Sequence, residues 1–515
     1  MQKIVWDSDY SRKNHEPKRL SNFGHDSRIM IWIFILANLV TAGNEFFSYQ
    51  PALGLCFVAF QLAVVLALVL LKRIKWAIFL NVLFYLSGLE FSRDLISKTP
   101  IFSYRTVSIV GVSVGTIMVL LISVLVLMKY FFAVARRGTS RHLWFLSPAL
   151  FAVVFYSASV GMTMLLGHVY TVEAYLSDMQ LAIVLISGLA LGLVYVWRDE
   201  RSANLFTWLI VSILAARALV PGIMMLSGYI RGSYGGVPIT SFSALDFYIP
   251  FLVFYDPPME VGGLKILLFV CWVLGMYRVG YVEPSGKGII ICIVVLVLLG
   301  LKVVTKIISV NLSVGRKTFI GSAILVVLVI VILLARPSFV VTTSPGDNSI
   351  LRMSKTHQVK SLMSFFGGNS LYSVDTSPQV RILELFNIEH GYAKAPLFAI
   401  FGEGWGGYFS DEAYPFPLSA LGPGSYSEEE ISTHMFFSPH ESFNYVLLKY
   451  GFTGVFFWVL IMIKVLLSKR IKLFNKSVFV ALWFITLGYS LSAMYLTGIL
   501  LAQMLMKTKP LRRIV

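Results

Sequence analysis

Apolar residues occur along this chain in runs of about 20, separated by short polar segments. A helix that crosses the hydrocarbon core of a bilayer needs about 20 mostly apolar residues. The pattern therefore predicts a spanning helix in each run of that length. These runs are 29–49, 51–71, 76–97, 107–129, 143–167, 179–197, 203–227, 238–256, 262–281, 288–306, 318–336 and 442–467. A last run, 477–506, is too long for one simple span and predicts one tilted helix or two shorter ones.

The composition fits a chain that is solvated largely by lipid. Of its 515 residues, 57% are hydrophobic and 13% are charged, whereas soluble proteins carry about 25% charged residues. The net charge of +17 would suggest nucleic acid in a soluble protein. Here the basic residues stand in short clusters between apolar runs, so they are interpreted as topology signals. We predict an all-α polytopic membrane protein with about 12–14 transmembrane helices and no nucleic-acid partner.

Orientation follows from the Lys/Arg clusters, because cytoplasmic loops are enriched in them. If the N-terminal tail is cytoplasmic, every cluster falls on the same side, provided that 238–256 is a genuine span. The clusters lie at 72–75, 136–141, 198–201, 316–317 and 469–472. The pattern places both termini in the cytoplasm and leaves one long segment, 337–441, outside.

Four regions follow from this layout. They are a cytoplasmic tail (1–28), a transmembrane bundle (29–336), a large outer loop (337–441), and C-terminal transmembrane helices with a basic cytoplasmic tail (442–515). Loops far longer than about 15 residues are usually functional or disordered. Within the loop, apolar residues at helical spacing from Val380 to Tyr392 predict an amphipathic helix over the bundle.

His440 is the first candidate for chemistry. Imidazole titrates near neutrality, so it accepts and returns a proton easily. His440 follows Ser438-Pro439 and stands at the start of the predicted helix 442–467, on the outer face. A histidine in such a place is more often a hydrogen-bonded surface residue, and this alternative stays open.

Several basic residues are predicted on the same outer face. Arg231, Arg278 and Lys287 follow or precede predicted spans, and Arg381 opens the loop helix. Together such groups would suit a pyrophosphate. Arg217 lies inside an apolar run, where a functional role is the default hypothesis, although near a helix end it could reach the interface.

Other patterns in the sequence give weaker indications of function. The three cysteines lie inside apolar runs, which indicates neither a disulfide framework nor a metal cluster. His434 and His440 lack an evident third zinc ligand. Glu90 and Arg93 are one helical turn apart and are interpreted as a structural pair.

Two motifs punctuate the outer loop. Arg381 and Leu385 form an Arg-x-x-x-Leu at the start of the predicted helix. The turn "PLFAIFGEG" follows, with Gly402 and Gly404 near its end.

A third motif begins at His440. Glu441 and nine further residues separate it from Gly451 and Gly454. The order Arg-x-x-x-Leu, glycine turn, His and Gly-x-x-Gly resembles the bacterial O-antigen ligases and polymerases, including the related protein O-oligosaccharyltransferases. That family usually has Asn, Ser or Gln where Glu441 stands.

Upstream the similarity is looser. "IRGSYGGVP", which contains Arg231, resembles the family's Arg-x-x-Gly motif without its Asn. "SGKG" resembles its Ser-Arg-Gly, with Lys287 in place of the arginine and Arg278 as an alternative.

The resemblance implies a GT-C-like glycosyltransferase of the bacterial inner membrane whose large loop is periplasmic. It implies a polyprenyl-pyrophosphate-linked oligosaccharide donor and a glycan acceptor, with no metal or other cofactor. His440 would act as the general base. Glu441 either orients its imidazole as part of the catalytic site or only favours the helix N-terminus. Arg231, Arg278 or Lys287, and Arg381 would hold the pyrophosphate, and a polysaccharide chain-length regulator is a further candidate partner.

A polymerase that joins repeat units on the lipid carrier is favoured because the chain is long and its motifs are degenerate. A ligase that transfers finished glycan to lipid A core or protein is the main alternative. A glycolipid flippase predicts polar residues along a path through the membrane, and a scaffold without catalysis predicts that His440→Ala is silent.

Overall fold

A computed structural model of the chain describes most of the helical segments. The described residues are 18–90, 100–136, 171–197, 200–227, 233–234, 237–238, 243–255, 262–279, 288, 291–300, 376–417, 426–468, 471–488 and 490–505. The predicted spans 143–167 and 318–336 lie outside these residues.

Helices dominate the first part of the described chain. They are α1 (Lys18–Phe47), α2 (Pro51–Leu70), α3 (Ile74–Ser87), α4 (Val114–Arg136), α5 (Val172–Leu191), α6 (Glu200–Leu226), α7 (Gly262–Tyr277) and α8 (Ile291–Gly300). One π-helical turn, Gly192–Val196, continues α5, and a 3₁₀ helix, Ala244–Phe254, precedes α7.

The second part supplies six more helices. These are α9 (Thr376–Lys394), α10 (Pro396–Phe401), α11 (Glu428–Thr433), α12 (Ser442–Leu467), α13 (Leu473–Ile485) and α14 (Leu491–Leu505). The only described strands form three two-residue antiparallel pairs: β1 (Ser108–Ile109) with β2 (Val112–Ser113), β3 (Ser233–Tyr234) with β4 (Val237–Pro238), and β5 (Phe409–Ser410) with β6 (Met435–Phe436).

Six of the described helices are long and apolar enough to cross a membrane, judged by length and composition. They are Arg28–Phe47, Pro51–Leu70, Val114–Phe132, Val172–Val196, Glu200–Met224 and Ser442–Leu467. Each overlaps a predicted run, which confirms the membrane-protein character read from the sequence. Shorter apolar helices, including α3, α7, α13 and α14, accompany them.

Several predicted spans have different boundaries in the structure. The run 107–129 begins with the hairpin β1–β2, so its helix starts only at Val114. The run 76–97 is helical only to Ser87. In the run 238–256, the helical part is the 11-residue 3₁₀ helix, which contains Pro250. Proline cannot donate the backbone hydrogen bond that an α-helix interior requires, so the prediction of a spanning α-helix there is wrong.

The run 477–506 forms two helices rather than one tilted helix. The break lies at Gly488, whose φ of +93° is in the left-handed region. A β-carbon there would collide with the ring of Tyr445, so the close approach of α12 also requires glycine.

The core of the bundle contains a close contact between α5 and α14. A β-carbon on Gly188 would collide with the carbonyl oxygen of Tyr495, and one on Gly498 with that of Leu185. Small residues allow two helices to approach closely in a membrane protein. Gly188 and Gly498 therefore allow α14 to pack directly against α5.

A separate, smaller core joins the segment 376–436 to the first part of α12. Apolar residues of α9, β5 and β6 surround Leu447 and Leu448 of α12. Phe409 and Phe436 are paired across the β5–β6 ladder with ring centroids 5.6 Å apart. This core positions the residues that the sequence motifs single out.

Candidate functional site

His440 stands between β6 and α12, at the point where the smaller core meets the bundle. Its Nδ1 lies 2.5 Å from Oε1 of Glu384, which is on α9. The Glu384 side chain is completely buried, whereas 26% of the His440 side chain is exposed. A buried carboxylate thus holds a partly accessible imidazole.

The Glu384 carboxylate also receives other hydrogen bonds. Tyr426 donates its hydroxyl to Oε1 over 2.6 Å, Asn444 donates its amide to Oε2 over 2.9 Å, and the His440 backbone N–H points at the same carboxylate. Burial alone would raise the pKa of Glu384, but the hydrogen bonds and the charge interaction with His440 outweigh it and lower that pKa. Glu384 is therefore an ionised carboxylate that accepts hydrogen bonds from its neighbours.

This anion fixes the imidazole tautomer. Because a carboxylate only accepts hydrogen bonds, Nδ1 of His440 donates to Glu384, and the neutral ring carries its lone pair on Nε2. The Tyr426 ring meets the imidazole edge to face, with centroids 4.7 Å apart. Burial, together with the neighbouring Glu384 charge, raises the pKa of Tyr426 well above its usual value, so its hydroxyl stays a donor.

Arg381 and Glu441 lie beside this pair. Arg381 is one turn before Glu384 on α9, and its guanidinium forms an ion pair with the Glu441 carboxylate. Asn444 also donates to the Arg381 backbone carbonyl over 2.9 Å. The structure thus brings Arg381, His440 and Glu441 together, as the motifs predicted.

Two of the motif glycines allow the turn after α10 to pack closely against α12, the helix that follows His440. Gly402 and Gly451 both have φ in the left-handed region, at +81° and +62°. A β-carbon on Gly451 would be 2.6 Å from the Gly402 backbone nitrogen. The turn after α10 also bonds to α12, because Glu403 and Gly404 donate their N–H groups to Leu448 and Lys449 carbonyls, over 2.7 and 3.2 Å.

The remaining motif residues have packing positions. Leu385 is half-buried and packs against the smaller core. Gly454 is buried in α12, one turn after the break at Gly451.

A buried ion pair ties the glycine turn to the bundle. Lys449 Nζ lies 2.7 Å from Oδ2 of Asp178 on α5, and it donates to the Gly407 carbonyl over 2.8 Å. Asp178 in turn accepts from the Gly406 N–H over 2.8 Å. Neither Lys449 nor Asp178 drew attention in the sequence, although a lysine within an apolar run is the kind of residue that requires a partner.

Arg278 belongs to a second buried cluster. It lies 2.9 Å from Asp246 Oδ2 and donates to the Arg217 carbonyl over 2.7 Å. Arg217 also pairs with Asp246 through two nitrogens. Arg217 is therefore buried and paired, and the alternative that it reaches the interface is wrong, because its guanidinium has a carboxylate partner inside the bundle.

Asp246 also joins a third arginine through the N-cap of the 3₁₀ helix. Ser243 donates its backbone N–H to Asp246 over 3.0 Å, and its hydroxyl approaches both Glu90, at 3.3 Å, and Arg105, at 3.4 Å. Arg105 forms an ion pair with Glu90. Three guanidinium groups and two carboxylates thus converge on one capping box, which gives this cluster a formal charge of +1.

A cavity of about 240 Å³ lies between this cluster and the His440 segment. Its lining includes Glu90, Arg105 and Asp178, and also Phe437 and Ser438, which precede His440 in the chain. Glu90 is paired with Arg105. The predicted partner Arg93 lies outside the described residues, so that pairing stays a prediction.

The two remaining predicted cations, Arg231 and Lys287, lie outside the described residues. Glu384, Tyr426 and Arg105 were missed by sequence reasoning. For Glu384 a signal existed, since it is an acidic residue between Leu383 and Leu385 on the apolar face of a predicted amphipathic helix.

Within the described ranges, no three His, Cys, Asp or Glu side chains gather as a metal site. His434 instead bonds through Nδ1 to Asp411 Oδ1 over 2.8 Å.

No protein-family model, curated protein or solved structure matches this chain. The resemblance therefore depends on the sequence motifs alone.

Proposed function

We propose that this protein is a membrane glycosyltransferase that polymerises polyprenyl-pyrophosphate-linked oligosaccharide repeat units. The observation that carries the proposal is the 2.5 Å contact between His440 Nδ1 and the buried Glu384 carboxylate. An imidazole held by a buried carboxylate is the usual arrangement of a general base. Its position at the end of an outer-loop motif agrees with the resemblance to O-antigen polymerases and ligases.

In the proposed step, Nε2 of His440 takes the proton of an acceptor hydroxyl. The hydroxyl oxygen attacks the anomeric carbon of the donor sugar, and the bond from that carbon to the pyrophosphate oxygen breaks. The bonding electron pair leaves with the lipid pyrophosphate. Glu384 stabilises the imidazolium that forms, because its negative charge is fixed and buried.

The leaving group needs cations as its charge grows. Arg381 supports this role best, because it lies beside His440 and its side chain, which pairs with Glu441, is 31% exposed. A bound pyrophosphate would replace the Glu441 carboxylate as the partner of the Arg381 guanidinium. Arg231 and Lys287 remain proposed contributors. Arg278, which the sequence placed on the outer face, is instead buried and paired with Asp246, so it is not proposed to bind the pyrophosphate. Glu441 is a positioning residue for Arg381.

The proposal includes a location in the bacterial inner membrane, with both termini in the cytoplasm and the segment 337–441 in the periplasm. The Lys/Arg clusters at 72–75, 136–141 and 198–201, which precede the 3₁₀ helix, support a cytoplasmic N-terminal tail. The family resemblance supports a periplasmic location for 337–441. A donor with a polyprenyl tail stays in the lipid, so the reaction belongs at a membrane face.

Deletion of the gene tests the acceptor class in cells. A polymerase predicts that surface glycan is reduced to single repeat units, and that the wild-type gene restores long chains whereas a His440→Ala gene does not. Polymer stranded on the lipid carrier would instead identify a ligase. Loss of surface glycan, with repeat units retained on the cytoplasmic side, would favour a flippase, and unchanged surface glycan would contradict the proposal.

A further inference from the structure

The short helix α10, Pro396–Phe401, consists only of apolar residues, yet none of them is buried. Leu397 is 71% exposed, and Ile400 and Phe401 are exposed as well. In water such a patch would be costly, since burial of an apolar side chain is worth about 1.5–3 kcal/mol. Some apolar medium must therefore cover this face.

The burial pattern along α12 changes next to α10. Before Gly451 the helix is almost entirely enclosed by protein and carries the polar residues Asn444 and Lys449. After Gly451 large apolar residues face outward, among them Phe452 and Phe456, the latter 62% exposed. The break at Gly451 thus separates a protein-buried part from a lipid-facing part.

The part of α12 after Gly451 is slightly shorter than the hydrocarbon core of a bilayer. Sixteen residues run from Phe452 to Leu467, which is about 24 Å at the helical rise. The hydrocarbon core of a bilayer is about 30 Å thick. The difference is about one helical turn, so the apolar surface has to continue past Gly451 toward the start of α12.

Helix α10 occupies that position. Its last residues touch Gly451, where a β-carbon would lie 2.6 Å from the Ile400 carbonyl group. Exposed residues lie on both partners of this contact, Ile400 and Phe401 on α10 and Phe452 on α12. The Phe452 ring also meets that of Tyr392, which is on the helix before α10. The apolar faces of α10 and α12 are therefore continuous.

We propose that α10 is embedded in the edge of the bilayer, with Leu397, Ile400 and Phe401 in contact with the acyl chains of membrane lipids. The membrane boundary then passes at the level of α10 and Gly451 rather than at Ser442. The first part of α12, which bears His440 at its start, lies above the hydrocarbon core inside the protein. This inference depends on the contacts of α10 and α12 and not on the proposed enzyme activity.

Spin-label accessibility in phospholipid nanodiscs tests the proposal. The label is attached at Leu397→Cys or Phe401→Cys in the full chain, in a Cys56→Ser background because Cys56 is exposed. Collision of the label with oxygen, which concentrates in lipid, is compared with collision with a water-soluble nickel chelate. Label on the unmodified buried cysteines is measured in the background protein and subtracted.

Two positions in the same chain calibrate the measurement. Phe456→Cys reports a lipid-facing site of α12, and Glu412→Cys reports a water-facing site, because its side chain is 73% exposed. We expect labels at positions 397 and 401 to collide more with oxygen than with the nickel chelate, as a label at position 456 should. Preference for the nickel chelate at both, as at 412, would overturn the proposal. Protection from both reagents would also overturn it, because it would show that protein covers α10.

Discussion

His440 and Glu384 are 56 residues apart in the chain and 2.5 Å apart in the structure, Nδ1 to Oε1. One comes from the entry to α12 and the other from the buried face of α9. The contact between Gly402 and Gly451 holds the turn after α10 against α12. The chemistry assigned to the histidine therefore depends on a carboxylate at an unspecified position of the Arg-x-x-x-Leu motif.

Glu384→Gln should reduce turnover at least about 10-fold, because an amide cannot hold the imidazole tautomer as a carboxylate does. Turnover is measured with purified protein and a lipid-linked oligosaccharide donor. Tyr426→Phe is the matched control, since it removes one donor from the same carboxylate without touching the imidazole hydrogen bond. Equal activity of Glu384→Gln and wild type would contradict the role of the dyad.

Arg381→Ala should raise KM for the donor with only a small change in apparent Tm. The Arg381–Glu441 pair is half-exposed, and such pairs contribute about 0–1 kcal/mol to stability. Glu441→Gln provides the comparison, because it keeps the guanidinium and removes its carboxylate partner. If Arg381→Ala changes Tm strongly and leaves KM unchanged, the arginine is structural.

The glycine contact predicts a clear difference between two glycines. Gly451→Ala places a β-carbon against Gly402 at a positive φ and should lower stability by about 2 kcal/mol or more. Gly391→Ala is the control, because it lies in helix α9 and its β-carbon would meet nothing within 4 Å. Alanine there should be neutral or stabilising by up to about 1 kcal/mol. Thermal unfolding in detergent measures both, and equal Tm values would contradict the contact.

The buried pair Lys449–Asp178 predicts non-additive effects. Lys449→Met leaves the Asp178 carboxylate buried without its cation, which should cost about 3–5 kcal/mol. The double variant Lys449→Met/Asp178→Leu should recover part of that loss. If the decrease in Tm of the double variant equals the sum of the decreases of the two single variants, the residues do not interact.

Glu403 predicts a pH dependence of stability. Burial raises the pKa of its carboxyl to about 7, with Lys449 acting in the opposite direction. The folded chain then binds this proton more tightly than the unfolded chain, so this contribution to stability falls as pH rises from about 4.5 to 7. Glu403→Gln should therefore gain Tm relative to wild type as pH rises from 5 to 8. Glu412→Gln, at an exposed site, should show no such trend.

The sequence predicted the long apolar helices well, because about 20 apolar residues leave few other structures in lipid. Boundaries failed where a local feature interrupts an apolar run, as at Pro250 in the 3₁₀ helix and at Gly488 between α13 and α14. Apolar periodicity does not reveal such breaks. Only the structure shows which side chains then become neighbours.

The candidate site was predictable in part. Arg381, His440 and Glu441 belong to motifs with a fixed order, and the structure brings them together. Glu384 and Arg105 were not found, since their importance comes from partners distant in the chain. The buried arginine cluster around Asp246 depends on tertiary contacts between α6, α7 and the 3₁₀ helix, which a single sequence does not specify.

The most direct measurement of the central claim is glycan polymerisation by the purified His440→Ala protein in nanodiscs. The assay contains a polyprenyl-pyrophosphate-linked oligosaccharide and no added metal, and it compares the product ladder with that of wild type. We predict that the variant forms no ladder and keeps the wild-type Tm. A full ladder from His440→Ala would contradict the assignment of this histidine as the general base.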